Sequence, residues 1–385
     1  MLRRTLKRAL ARINSNKYIP LNRIELNAAN MLHNVRVLRG NHAGKQIIPV
    51  LKGNAYGHGL RQAAQILQRS DCEYVAVDGY FEAGAIRDIV RQRIIVMGYI
   101  LPANAKLCDT RRCSFVIQDI AGLRAFGALP RKVRVHLELN TGMNRLGLSP
   151  DELDDYLIEL RRYPNLQLEG VMTHLADADN EVDNRFTRRQ VEAFDQQLER
   201  IQAAGFKPSL IHVAQTAGST KAASKYANAI RLGIGLYGIQ PLTERDAGHA
   251  QLRGLKPVLE LKSTIIKVLD LQKGDKVSYN CTFTAPAPMK VAVLPLGYYE
   301  GVPRALSNRG VVSHGKKQLP IVGRICMDHT MFDVTGTHLQ VGDEVTVISA
   351  DSKLPNSVLG MQQEHQLFAY NTLTSLASSV RREIV

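Results

Sequence analysis

Apolar residues recur along this chain in two different rhythms. Between about residues 22 and 240, short apolar runs at 47–52, 74–77, 93–98, 113–118, 133–139, 168–174, 209–214 and 228–232 are continuous rather than alternating, the pattern of strands buried on both faces. The stretches between many of them, such as LRQAAQILQR, FEAGAIRDIV, DELDDYLIELRRY and RRQVEAFDQQLERIQ, carry apolar side chains at helical spacing. Eight strand-then-helix repeats predict an α/β fold of the TIM (β/α)8 barrel kind. From about residue 245 the rhythm changes to runs such as VLELKSTIIKVLDL, MKVAVLPLG and DEVTVIS, separated by Gly, Pro, Asp and Asn. No long helical stretch returns until the last thirty or so residues, so a mainly β C-terminal domain is expected. The division read from these patterns is a basic N-terminal arm at 1–20, the barrel at 21–244 and the mainly β domain at 245–385.

Composition adds class and compartment. A chain of 385 residues exceeds what one core usually supports, and 45% apolar with 22% charged residues is ordinary for a globular enzyme. No apolar run approaches membrane-spanning length and no signal-type segment opens the chain. The five cysteines, Cys72, Cys108, Cys113, Cys281 and Cys326, are scattered and odd in number, which predicts reduced thiols, a cytoplasmic protein and no metal site. The formal net charge of +15 raises nucleic acid as a partner. Its distribution argues otherwise: Arg3, Arg4, Lys7, Arg8, Arg12 and Lys17 all precede the first acidic residue, Glu25, and the chain has no Trp for base stacking. The arm itself reads either as a short basic helix that touches anionic membrane or as a solvated terminus.

Lys52 ends the apolar run IIPVLK and is followed at once by Gly53-Asn54-Ala55-Tyr56-Gly57-His58-Gly59, a turn of residues that tolerate unusual backbone angles. An amine at the carboxyl end of a buried strand, where barrel enzymes gather their chemistry, is a candidate nucleophile for a Schiff base with an aldehyde cofactor. The same lysine also suits a salt bridge or a snorkelling side chain on local features alone. His174, His212 and Arg231 fall at the ends of other barrel strands.

The string VLKGNAYGHG closely resembles the pyridoxal-phosphate lysine motif of alanine racemases, and further motifs follow in the order that family has them. TGMNRLG (141–147), THLADAD (173–179), IHVAQTA (211–217), RLGIGLYG (231–238), KVSYNCTFTA (276–285), GYYEG (297–301) and GRICMDHTMFDV (323–334) each resemble a segment of that family, from the start of the barrel to AYNTLTSL near the end. The resemblance implies a pyridoxal-phosphate-dependent amino-acid racemase that interconverts L- and D-alanine for cell-wall peptidoglycan. Serine, a broader range of amino acids, or decarboxylation on the same fold are the alternatives. It implies a homodimer in which the β domain of one subunit completes the barrel site of the other.

Carried onto this sequence, the resemblance makes Lys52 and Tyr279 the two bases that flank Cα. It places Tyr56, His174, Thr216, Arg231, Gly233, Ile234 and Tyr370 around the cofactor, and Arg145, Met327 and Asp328 at the substrate carboxylate. His212 and Tyr298 support them. Racemisation takes a proton from one face of Cα and returns one to the other, which is why two bases are needed. A guanidinium only donates, so Arg231 facing the pyridine nitrogen leaves that nitrogen an acceptor. Several positions depart from the family. Glu138 stands where a carbamylated lysine is usual and Asn140 where an aspartate is usual. A permanent carboxylate at 138 is expected to hold Arg145 in a bidentate pair.

Overall fold

The computed structural model describes residues 19–222 and 224–385. The basic arm expected at 1–20, with its membrane reading, lies almost wholly outside the described residues. The chain divides into two compact units, one formed by Asn27–Val258 and the other by the segment up to Leu26 together with Leu259–Glu383.

In the first unit, among the described residues, eight parallel strands close on themselves. In chain order, with β1 (Asn22–Leu26) belonging to the other unit, they are β2 (Gln46–Pro49), β3 (Tyr74–Val77), β4 (Arg93–Val96), β5 (Cys113–Ile117), β6 (Val133–Glu138), β7 (Leu166–Met172), β8 (Leu210–His212) and β9 (Ala229–Leu232). Their order in the sheet is β2-β9-β8-β7-β6-β5-β4-β3, and a parallel bridge between Val50 and Ala76 joins the two ends. Each strand falls within two residues of an apolar run seen in the sequence. Ile48, Val50, Ala76, Ile95, Val116, Met172, Leu210 and Ala229 pack together as one buried cluster. The outer helices bury one stripe each: Arg185–Ala203 turns Thr187, Gln190, Val191, Phe194, Gln197, Leu198 and Ile201 inward, at intervals of one to four residues.

The second unit is mainly β. A six-stranded sheet sets β1 between Leu259–Thr264 and Arg381–Ile384, and a three-stranded antiparallel sheet joins Lys267–Leu271, Met289–Leu294 and Thr330–Asp333. This corrects the borders expected from sequence. Residues 21–26 pair with the β unit, through Ile24 opposite Leu261, and 245–258 stay with the barrel. The reason is that a half-buried strand shows the same alternation whichever sheet receives it. In β1, Ile24 and Leu26 are buried, while Arg23 and Glu25 join Lys262 and Glu344 in ion pairs on the opposite face.

Candidate active site

β2 ends one residue before Val50, and Lys52 starts an unusual turn. Gly53, Asn54, Ala55 and Tyr56 follow with φ of 63°, 54°, 54° and 51°, four successive residues in the left-handed region. For each of the three that are not glycine, this conformation costs roughly 1–2 kcal/mol. Local bonds hold it. The Ala55 N–H donates to Leu51 O at 2.8 Å, Gly57 N–H to Gly53 O at 3.0 Å, Gly53 N–H to Glu82 Oε1 at 2.8 Å, and Leu60 N–H to Asn54 Oδ1 at 2.8 Å. The turn carries the Tyr56 ring to within 5.0 Å of the Tyr237 ring and its hydroxyl to Gly233. A Cβ at residue 233 would sit 2.8 Å from that oxygen, so a side chain there would crowd the Tyr56 hydroxyl.

Lys52, Tyr56, Glu138, Arg145, His174, Arg231 and Gly233 line one cavity of about 340 Å³, at the carboxyl ends of the barrel strands. Met97, Met172 and Val50 supply apolar wall; Asp78 and Tyr99, which sequence reasoning did not single out, also line it, as does Gln215 of the IHVAQTA segment. Arg231 is only 3% exposed. Its Nη2 donates to Thr173 O at 2.6 Å and Val213 O at 3.1 Å, and its Nη1 donates to His212 O at 2.5 Å and His212 Nδ1 at 3.0 Å. His174 Nδ1 lies 3.4 Å from Nη2. Burial brings the Arg231 guanidinium down to about 10, still protonated at neutral pH. Burial first, then the charges of Arg231, Arg145 and Lys52, hold His174 at about 3, so its imidazole is neutral. His212 is fully buried and is pushed well below the ordinary range by burial and the Arg231 charge. Both histidines are therefore orienting groups rather than proton carriers.

Thr216 and Ile234 lie just behind this wall, each 2% exposed. The Thr216 Oγ1 accepts from the Gly235 N–H at 3.2 Å, which ties the strand-8 loop to the turn that begins at Gly233. One expectation fails. Glu138 is 6% exposed, and among the described residues no hydrogen bond or ion pair joins it to Arg145; Gln118 Nε2 is its polar contact, at 3.5 Å. Burial raises its carboxyl above the ordinary value, with the charges of Arg231, Arg145 and Lys52 opposing that rise. The physical reason is that Arg145 sits on an exposed loop while Glu138 is deep in the barrel wall.

The remaining residues singled out in the sequence belong to the β unit. Tyr279 is 68% exposed and sits on a turn where Ser278, Asn280 and Cys281 have φ of 63°, 60° and 50°. The Ser278 hydroxyl anchors the turn by donating to Arg324 O at 2.6 Å. Met327 and Asp328 are exposed on a neighbouring turn, whose Cys326 and Met327 carbonyls each accept at 3.0 Å from the Tyr298 and Tyr299 amides. A Cβ at Gly297 would overlap those carbonyls, so the GYYEG loop requires glycine there. Tyr298 is exposed, and Tyr370 is half-buried with its ring stacked on Phe368 at 4.9 Å.

Comparison with known proteins decides what this arrangement belongs to. The family model described as alanine racemase, N-terminal domain, matches residues 26–241, and that described as alanine racemase, C-terminal domain, matches residues 258–384. The chain belongs to the alanine racemase family. An alanine racemase of Sorangium cellulosum is 34% identical over 94% of this chain and 98% of its own, and one of Desulforamulus reducens is 35% identical over 86% and 90%. The crystal structure of alanine racemase from D-cycloserine-producing Streptomyces lavendulae shares the fold with a TM-score of 0.86 and 25% identity, covering 96% of this chain and 98% of that one. The alanine racemase of Bartonella henselae, solved with covalently bound pyridoxal phosphate, shares the fold at a TM-score of 0.81.

The cavity of this alanine racemase family member has the donors such a cofactor asks for. It offers a primary amine at Lys52, a permanent donor for a ring nitrogen at Arg231, and a tyrosine hydroxyl at Tyr56 beside Gly233. Gln215 Oε1 is buried without a hydrogen-bond partner among the described residues, a further polar atom left for a bound group.

Proposed function

We propose that this protein is a pyridoxal-phosphate-dependent alanine racemase, interconverting L- and D-alanine by a two-base mechanism and so supplying D-alanine for peptidoglycan. The observation that carries this reading is the convergence of Lys52, Tyr56, Arg231 and Gly233 on one barrel cavity in a chain whose two units both match that family. When bound, pyridoxal phosphate supplies an aldehyde for attachment and an electron sink for the pair left behind when Cα loses its proton.

The protein's own residues do the rest. Lys52 Nζ holds the cofactor and moves a proton on one face of Cα. The Tyr279 hydroxyl, exposed and unable to reach solvent-free surroundings within its own unit, serves the other face, in the site of a second copy of the chain. The active form is then a homodimer with shared sites, and Met327 and Asp328 border the substrate beside Arg145. The Tyr56 hydroxyl and the first amides of the turn at Gly233 and Ile234 receive the phosphate, with Thr216 and Tyr370 beside them. Arg231 carries only N–H donors, so a ring nitrogen held beside it would stay an unprotonated acceptor and supply a weak sink. A weak sink favours prompt return of the proton over competing bond cleavage, and this supports racemisation over decarboxylation.

The test is to purify the protein with its cofactor, record its visible absorption and follow D/L interconversion across a panel of amino acids. Alanine as the preferred substrate supports the proposal. Release of carbon dioxide without interconversion overturns it, and preference for serine moves the chain to the neighbouring specificity.

A further inference from the structure

Four buried side chains run in single file from the cavity into the floor of the barrel. Arg231 Nη1 meets His212 Nδ1 at 3.0 Å, His212 Nε2 meets His136 Nδ1 at 2.9 Å, and His136 Nε2 meets Glu169 Oε2 at 3.2 Å. None of the four is more than 3% exposed. The far carboxylate is gripped in turn: Ser114 Oγ donates to the same oxygen as His136, and Arg93 pairs with the other. Two local irregularities make this file fit. β6 and β7 slip register between Val135 and His136, so that Val135 faces Leu168 but His136 faces Gly170, and Glu169 is the extra residue of a bulge that turns its side chain inward. A Cβ at residue 170 would overlap His136 Nδ1, so glycine there makes room for the imidazole.

The two ends dictate every proton between them. A guanidinium can only donate, so His212 accepts at Nδ1 and carries its proton on Nε2. That proton can only be given to His136 Nδ1, which leaves the His136 proton on Nε2, donated to the carboxylate. Both rings are neutral, both hold the same tautomer, and all N–H bonds point from Arg231 towards Glu169.

We propose that Glu169, acting through His136 and His212, is a positioning residue for Arg231, fixing the tautomers that let His212 accept from the guanidinium and supplying its remote counter-charge. Burial would push the Glu169 carboxyl up, but the hydrogen bonds from His136 and Ser114 and the charge of Arg93 outweigh it and hold the carboxyl below its ordinary value, so the anion persists at neutral pH. Neutral Gln at this position loses the charge and brings an N–H group that one of its neighbours must face. If the amide N–H turns to His136, both tautomers reverse and His212 Nδ1–H then confronts Arg231. If it turns to Arg93 instead, two donors face one another at the floor.

This proposal rests on the racemase reading, and the experiment separates the two. In wild-type holoenzyme labelled with [15N]histidine, solid-state NMR identifies the His136/His212 pair by the 15N–15N coupling across their shared hydrogen bond. Protonated Nε2 and bare Nδ1 on both rings is the expected result; a proton on His212 Nδ1, or a doubly protonated ring, overturns the proposal whether or not any variant folds. In Glu169→Gln holoenzyme, kcat/KM should fall about tenfold or more, as expected of a misplaced cofactor contact, and the visible absorption of the bound cofactor should change. Leu198→Ala, a buried change on an outer helix, controls for stability: it should lower the melting temperature while leaving spectrum and kcat/KM within about twofold. A folded Glu169→Gln enzyme with unaltered spectrum and kcat/KM overturns the proposal. Wild-type protein that racemises nothing counts against the racemase reading alone.

Discussion

Arg231 in the barrel is 3% exposed and donates to three backbone carbonyls and an imidazole, whereas Tyr279 in the β unit is 68% exposed and stands on a turn with three non-glycine residues in the left-handed region. One group is fixed by buried bonds that also hold the barrel together. The other is fixed by its backbone, and its side chain has little to do with the stability of its unit. Substitutions in the buried network around Arg231 should therefore change catalysis and stability together, while substitution of the Tyr279 side chain should change catalysis alone. Chemistry on a surface tyrosine makes sense when a second copy of the chain covers it.

The largest effect is expected at Lys52, which is half-buried at the cavity wall. Lys52→Ala should abolish the borohydride-reducible attachment of the cofactor and lower kcat by roughly 10⁴-fold or more, because in the proposed mechanism the attachment point and one proton-transfer group vanish together. Racemisation at the wild-type rate by this variant would remove Lys52 from the mechanism.

Tyr279→Phe sharpens the comparison from the other unit. The hydroxyl goes and the ring stays, so kcat should fall by roughly 10²- to 10⁴-fold with the melting temperature changed by no more than about 1 °C. The loss should also be one-sided: solvent deuterium should still enter the enantiomer handled by Lys52. Equal residual exchange from both enantiomers would speak against a base acting on one face. Loss of activity on dilution of the wild-type enzyme, tracking dissociation seen by sedimentation, is the outcome expected of the proposed dimer, in which each site borrows its tyrosine.

Within the barrel, Glu169 makes acid stability a third test. Its folded carboxyl is held below an ordinary 4.5, so its stabilisation is fully present above about pH 4.5 and is lost as pH falls through the lowered folded value. Urea unfolding of wild type and Glu169→Gln should differ most at neutral pH, and the gap should shrink below about pH 4.5 and close only at the acid end, where the folded carboxylate takes up its proton; a gap that stays constant with pH would deny the carboxylate this role.

The eight barrel strands were legible because strands buried on both faces read as unbroken apolar runs, and Lys52 and Arg231 were legible because each lies at or next to the carboxyl end of such a run. The left-handed turn was visible only in part. Gly53 and Gly57 announce it, but nothing in the letters shows Ala55 and Tyr56 adopting positive φ, since neighbouring bonds to Leu51, Glu82 and Asn54 impose it. The Glu169 file was hidden for a sharper reason. Period-two reasoning assigns each strand residue a face, and the bulge between β6 and β7 shifts that assignment by one residue at the very place where Glu169 turns inward. The membership of β1 was equally out of reach, because the side-chain alternation that reveals a strand does not name its partner.

The smallest effect is expected at Glu138, where sequence and structure part most clearly. A carboxylate paired with Arg145 would be stabilised as an anion, and its loss would harm both folding and substrate binding. The structure instead shows a carboxyl 6% exposed, with Gln118 for company and a pKa raised by burial. A folded-state pKa above the unfolded one has the opposite sign from Glu169: the group opposes folding at pH values above its unfolded pKa, and that penalty fades as pH falls below it. Glu138→Gln keeps the shape and removes the charge, so it should raise the melting temperature at pH 8, on the order of 2 °C, with the gain disappearing near pH 4. Catalytic efficiency should stay within about threefold, because Arg145 does not depend on this side chain for its place. Differential scanning calorimetry at the two pH values, paired with kcat/KM, gives a clean decision: a drop of several degrees at pH 8 together with a tenfold rise in KM would restore the Glu138–Arg145 pair as the working arrangement.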